Sequence, residues 1–193
     1  INPVPLMVGA TAAANGAYVW GPRGFAGGVA LAIAFTLIWS VLDPEQRTTR
    51  GLSIAMTLAV LAGLATGSLT LLHLFSTPMV NAALAVAAAA GFAAWGVQQS
   101  GGEVGGLDPN LGMVVGAIVA GLISGLAAET LSITTMVLAA AARAAGLIAG
   151  RAFGSLLRTG SVVHTARAPG LLTPFDGAIL GVAAFWAAIW VFG

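Results

Sequence analysis

Residues 51–75 read GLSIAMTLAVLAGLATGSLTLLHLF, and no Asp, Glu, Lys or Arg interrupts them. As an α-helix this run is about 37 Å long, enough to cross the ~30 Å hydrocarbon core of a bilayer. A water-exposed helix of that length needs a polar face, and this stretch has none. The same texture extends along nearly the whole chain. Charged residues make up 7% of 193 positions and hydrophobic residues 59%, with a mean hydropathy of +0.99. A soluble domain carries about 25% charged residues. The sequence therefore describes an all-α, polytopic transmembrane helical bundle over residues 1–193, expected as a single integral membrane domain. The chain opens on Ile1 rather than Met. That leaves room for an upstream segment, and no leader is read from it.

Hydropathy and helix breakers divide the chain into seven candidate spans. The first covers about Val4 to Trp20 and stops at Gly21-Pro22-Arg23-Gly24. The second runs from about Phe25 to Leu42, before the polar loop from Asp43 to Arg50. The third is about Gly51 to Phe75, closed by Ser76-Thr77-Pro78, and the fourth is about Met79 to Gln98. A glycine- and acid-bearing loop from Gln99 to Asn110 follows. The fifth and sixth spans, about Leu111 to Ala128 and Leu131 to Gly150, are separated by Glu129-Thr130. A basic stretch from Arg151 to Leu172 leads to the last span, Pro174 to Phe192. The first and fifth are short and contain glycine, so a tilted or re-entrant course stays open for each.

Seven crossings put the Arg47/Arg50 loop, the Glu103/Asp108 loop and the Arg151/Arg158/Arg167 stretch on one side, with Arg23 alone opposite. The positive-inside rule then places the longer loops in the cytoplasm of a cell's inner membrane and the C-terminus outside. Trp20, Trp39, Trp95 and Trp190 fall near span ends, where indole favours the headgroup layer. Glycines at four-residue spacing, Gly63/Gly67, Gly112/Gly116, Gly121/Gly125 and Gly146/Gly150/Gly154, mark faces where helix backbones approach closely.

All 7 basic residues are arginine. A GC-rich genome explains this, as does selection for the planar guanidinium that binds phosphate bidentately. With 0 Cys there is no disulfide, thiolate metal site or thiol nucleophile. A net charge of +1 argues against nucleic acid as a partner. Arg143 is the sharpest single residue, set among Ala139–Ala142 and Ala144–Ala145 inside the sixth span. A charge at that depth normally faces a partner or a wet cavity, or else snorkels to the interface. If the helix continues past Gly150, Arg143, Arg151 and Arg158 fall within an arc of about 80°. They are the candidate lipid-phosphate-binding residues. Asp176 either caps the last helix or holds a metal. His73 and His164 stand apart from each other and from the acids. Gly101-Gly102-Glu103-Val104-Gly105-Gly106 lacks the Lys-Ser/Thr of a phosphate loop.

From Gly150 onward the chain resembles the end of bacterial phosphatidate cytidylyltransferases, the CDP-diglyceride synthases. That family ends with a Gly-Asp-containing helix, a Ser-x-x-Lys-Arg element, a Pro-Gly-His-Gly-Gly loop, and Asp-Arg-x-Asp opening the last helix. Gly150 matches the glycine, Ser155 the serine, Arg158 the lysine, and Pro169-Gly170 the start of the loop. Thr173-Pro174-Phe175-Asp176 matches the final element. The similarity covers the layout of the whole chain but only about 30 residues in detail. It implies a cytidylyltransferase-like fold with a Mg-dependent site for CTP and phosphatidate.

Several departures count against that activity. Arg151 stands where the family has an aspartate, Thr173 replaces another, His-Gly-Gly is missing, and the family's Ser-Pro-Lys-Lys-x-x-Glu-Gly element is absent. The family uses those aspartates to hold divalent metal on the CTP phosphates. Asp176 alone is a poor metal site. The sequence is therefore expected to encode a non-catalytic relative, needing no cofactor, that binds anionic membrane lipid or scaffolds a homo- or hetero-oligomer. Two alternatives stay open. One is an active cytidylyltransferase of phospholipid synthesis using Mg and completed by a partner. The other is a small transporter or channel subunit.

Overall fold

The computed structural model describes residues 3–43, 48–99, 109–127, 132–159 and 173–193. Among the described residues there are six helices and no strand: α1 (Val4–Leu42), α2 (Thr49–Phe75), α3 (Thr77–Gln99), α4 (Pro109–Ala127), α5 (Ile133–Thr159) and α6 (Thr173–Phe192). Four contain stretches long and apolar enough to cross a membrane: Val4–Leu42, Gly51–Phe75, Thr77–Val97 and Ile133–Gly150. Leu111–Ser124 and Leu180–Phe192 are shorter apolar helices. The helices fall into two compact units, Ile1–Phe75 and Ser76–Gly193.

In the first unit α1 is not one rod. Gly21 has φ 61° and ψ −143°, and Pro22 follows it. Proline disfavours helical geometry in the residue before it, and only glycine takes this positive φ without a Cβ penalty. The chain reverses there, and the expected break at Gly21-Pro22 is present. The two limbs touch backbone to backbone. A methyl on Gly16 would lie 2.8 Å from the Gly24 carbonyl carbon, and one on Gly28 would lie 2.6 Å from the Ala13 Cα. Helix α2 lies along both limbs. Thr66 Oγ1 donates to the Ala10 carbonyl at 2.9 Å and shares that proton with its own-helix Ala62 carbonyl at 2.9 Å. Gly63 approaches Ala13 and Val29, and Gly67 meets the Phe25 ring. Positions 9/59, 10/66 and 13/67 rise together, so α2 runs parallel to the first limb. Positions 29/63 and 25/67 run oppositely, so it is antiparallel to the second.

The second unit is built from hairpins. Gly112 packs on Ala93 and Val97, and Gly116 on Ala89 and Ala93, which makes α3 and α4 antiparallel. Gly121 of α4 meets Ala140 and Met136 of α5. Gly146 of α5 meets Leu180, Gly181 and Ala184 of α6, and Thr135 Oγ1 donates to the Phe192 carbonyl at 3.0 Å. These contacts fix an antiparallel α5/α6 register. Ser132 starts α5 as an N-cap, its Oγ accepting from the Thr135 amide at 3.1 Å.

Packing is inverted relative to a soluble protein. The interior is dominated by alanine, as at Ala13, Ala59, Ala83, Ala90, Ala117 and Ala140, while Trp20, Phe92, Leu126 and Val191 are exposed. Water would penalise that surface, whereas lipid does not, and small interior residues let helices gain dispersion contacts at close range. This is a membrane protein's interior. Trp20, Trp95 and Trp190 are exposed. Trp39 stacks on Phe35 at 5.6 Å, with its Nε1 buried and lacking a hydrogen-bond partner among the described residues.

Several helix boundaries differ from the expected span bounds by a residue or two. Helix α3 begins at Thr77 rather than Met79, with Pro78 in its first turn, where its missing N–H costs nothing. The sixth apolar span ends at Gly150 as expected, and helix α5 itself continues to Thr159, the course that the sequence had left open. Hydropathy reports the solvent around a helix, not its end. The sequence Arg151-Ala152-Phe153-Gly154-Ser155-Leu156-Leu157-Arg158 contains no proline to stop it.

Candidate anion site at Arg143

Arg143 lies on α5, flanked by Ala139, Ala140 and Ala144, all with no exposed surface. Because these neighbours are small, α4 and α6 come close on either side: Gly121 sits against Ala140, and Gly181 lies 3.3 Å from the Arg143 carbonyl oxygen by its would-be Cβ. The arginine is 1% exposed, and Phe185 of α6 is 0% exposed. The guanidinium carbon stands over the Phe185 ring, 5.8 Å from its centroid. Arg143 Nε and Nη1 are both buried with no hydrogen-bond partner among the described residues. A snorkelling arginine keeps its tip in water. This one is enclosed.

Magnitudes show what the site lacks. A central arginine costs about 2.5–3.5 kcal/mol on insertion scales. Each buried, unmet donor adds about 1–3 kcal/mol, more when charged. A desolvated cation–π contact returns about 2 kcal/mol. The ring alone does not balance the charge. The chain's acids are Asp43, Glu45, Glu103, Asp108, Glu129 and Asp176. None occurs within α2 to α5, and Asp176 is nine positions before Phe185 on α6, about 13 Å along the axis. Among the described residues neither a hydrogen-bond acceptor nor an acid meets Nε and Nη1, so the counter-charge of the guanidinium is not supplied there.

The continuity of α5 through Thr159 puts positions 143, 151 and 158 on one helix within the expected arc. They spread along about 22 Å of its axis, so one phosphate cannot touch all three. The side chains of Arg151, Arg158 and Asp176 lie outside the described residues, as do His164, Arg167 and the Pro169-Gly170 loop. The backbone makes Asp176 the fourth residue of α6. Among the described residues no three His, Cys, Asp or Glu side chains cluster as a metal site.

Phe185 was not singled out from the sequence, because its role follows from the α5/α6 register rather than from local spacing. Thr66 and Thr135 were missed for the same reason. Ser68 Oγ is also buried without a partner among the described residues. It is a neutral hydroxyl, a need one water can meet.

No family model, curated protein or solved structure matches the chain. The cytidylyltransferase resemblance therefore rests on its motif residues alone.

Proposed function

We propose that the chain is a seven-span, cytidylyltransferase-like membrane protein without catalytic activity, which binds the phosphate of an anionic lipid and acts as a lipid-holding or scaffolding subunit. One observation carries this: Arg143 is enclosed in an apolar helical unit, and Nε and Nη1 have no hydrogen-bond partner among the described residues. A charge in that state needs an anion, and the surrounding medium offers lipid phosphate. The two limbs of α1 and the five later helices supply the seven crossings. The cytoplasm of an inner membrane receives the basic loops. Arg151 and Arg158 continue the same helix face toward that side, as a path by which the headgroup enters.

The test is native mass spectrometry of the chain purified in mild detergent with mixed phosphatidylglycerol and phosphatidylcholine. The wild type retains phosphatidylglycerol, and Arg143→Leu loses most of it while accumulating at least as well, since leucine eases insertion. Unchanged retention in a folded Arg143→Leu protein would sink the reading. Greatly reduced accumulation would instead point to a buried acid on a partner left without its counter-charge. The same preparation, given CTP, phosphatidate and Mg²⁺, is expected to form no CDP-diacylglycerol, because Arg151 and Thr173 occupy acid positions of the resembled family. Turnover abolished by Asp176→Asn would overturn the non-catalytic assignment.

A further inference from the structure

The first limb of α1 has two faces of opposite character. Pro5, Gly9, Ala13, Gly16 and Ala17 are buried, and Gly9, Ala13 and Gly16 pack on the second limb and α2. Met7, Thr11, Asn15 and Tyr18 are exposed. At 100° per residue these four fall within an arc of about 80°. A face turned to lipid needs no polar group, yet three of the four carry one. Tyr18 lies about 5 Å from the Gly21 reversal, where a phenol suits the headgroup layer. Asn15 and Thr11 are deeper, about 9 and 15 Å from that reversal along a limb of about 25 Å. The Asn15 amide makes no hydrogen bond with another described residue. In hydrocarbon such an amide is costly until another polar group meets it. The same face is also concave, because Met7, Val8, Thr11 and Ala12 line a recess of about 300 Å³.

We infer that this face is where a second copy of the chain docks, with Asn15 paired to Asn15 of the copy about a two-fold axis along the membrane normal. The chemistry of the face selects that occupant. It bears no charge that calls for a complementary foreign charge, and its amide and hydroxyls each both donate and accept. Two copies inserted in the same sense bring every residue opposite its own equivalent at one depth. A group able to pair with itself is therefore met where it stands. A crossing centred near Thr11 sets Met7 and Asn15 one turn to either side, about 6 Å along the axis. Met7 is 64% exposed, and its adaptable side chain in each copy fills the recess of the other. This goes beyond the lipid reading and takes from it only that the first limb crosses the bilayer.

Single cysteines report the contact, because the chain has 0 Cys. In phosphatidylcholine vesicles holding the purified full chain, Thr11→Cys is expected to give a disulfide-linked dimer on mild oxidation. Leu31→Cys and Phe92→Cys are expected to stay monomeric, although the native side chains are 56% and 72% exposed. In the Thr11→Cys background, Asn15→Leu is expected to raise the protein-to-lipid ratio for half-maximal cross-linking roughly tenfold. Asn15→Gln keeps the amide and is expected to leave that ratio near its starting value.

Absence of a Thr11→Cys cross-link in the purified chain overturns the inference and leaves the face to lipid, to another segment of the chain or to a different protein. Equal cross-linking at 11, 31 and 92 overturns it as random collision. Cross-linking of the Asn15→Leu chain as efficiently as its parent overturns it as well. Asn15→Leu is expected to keep bound phosphatidylglycerol, and Arg143→Leu to keep the Thr11→Cys cross-link. The dimer face and the lipid reading therefore fail separately.

Discussion

Gly28→Leu is expected to unfold the N-terminal unit, whereas Gly27→Leu, one residue away, leaves it intact. A Cβ at Gly28 would lie 2.6 Å from the Ala13 Cα and 2.7 Å from the Ala12 carbonyl carbon, while one at Gly27 meets nothing within 4 Å. The obstructing atoms at Gly28 are backbone, which cannot rotate away as a side chain can. The two limbs of α1 must therefore part, and the Gly16–Gly24 contact one turn nearer the Gly21 reversal must part with them. Overpacking of this kind costs about 3 kcal/mol or more once the leucine branches are included. Glycine in a helix interior is itself less favourable than a residue with a side chain by about 0.5–1 kcal/mol. Gly27→Leu should therefore be neutral or slightly stabilising, so the two adjacent changes are expected to differ in sign. Equilibrium unfolding in mixed micelles reads both. Equal effects at 27 and 28 would mean that the limbs are not packed on each other.

These two glycines also show what a sequence can and cannot reveal. The Gly21-Pro22 break, the Ser76 break and the approximate helix extents are legible because each depends on local chemistry: a positive φ, a missing N–H, a run of apolar residues. Gly63/Gly67, Gly112/Gly116, Gly121 and Gly146 were legible as packing positions from their spacing, and each meets a neighbouring helix. Gly9 and Gly16 have no such spacing, yet they make closer approaches than Gly63 does. Gly16 meets Gly24 through the fold-back of α1 and Gly9 meets Ala59 of α2, and both are long-range events. The sixth span ends at Gly150 as read, while the end of the helix itself stayed open for a different reason. Charge begins at Arg151 while the helix continues to Thr159, since leaving an apolar medium does not break backbone hydrogen bonds.

The site divides along the same line. Arg143 could be found in the sequence because an ionised side chain within an alanine run conflicts with its surroundings whatever the fold. Phe185 is one of 8 phenylalanines in the chain, and nothing adjacent to it marks it. Only the pairing of Thr135 with Phe192 and of Gly146 with Gly181 sets the register that brings residue 185 level with residue 143. A charge announces that it needs compensation, but the compensating group is a tertiary fact.

Topology labelling has the other large expected effect, because its outcome at each position is close to all or none. The chain has 0 Cys, so every label reports the residue introduced. Cysteines at Thr48, Gly102 and Thr165 are expected to resist a membrane-impermeant maleimide in intact cells and to react fully after lysis. A cysteine replacing Arg23 is expected to react in intact cells. Within the first unit α2 runs parallel to the first limb of α1, so the Gly21 reversal and the Thr48 end of α2 lie at opposite ends of that unit. Arg23→Cys therefore serves as the external reference for Thr48→Cys. On the proposed seven-span topology, removing Arg23 leaves the basic residues Arg47, Arg50, Arg151, Arg158 and Arg167 on the other side, so the substitution itself does not push the orientation to invert. If Thr48 and Gly102 are protected but Thr165 reacts, the second unit has one crossing fewer than proposed after Asn110, and Arg151 and Arg158 lie on the outer face. The headgroup path toward Arg143 would then have to open from the opposite leaflet, or not from a leaflet at all.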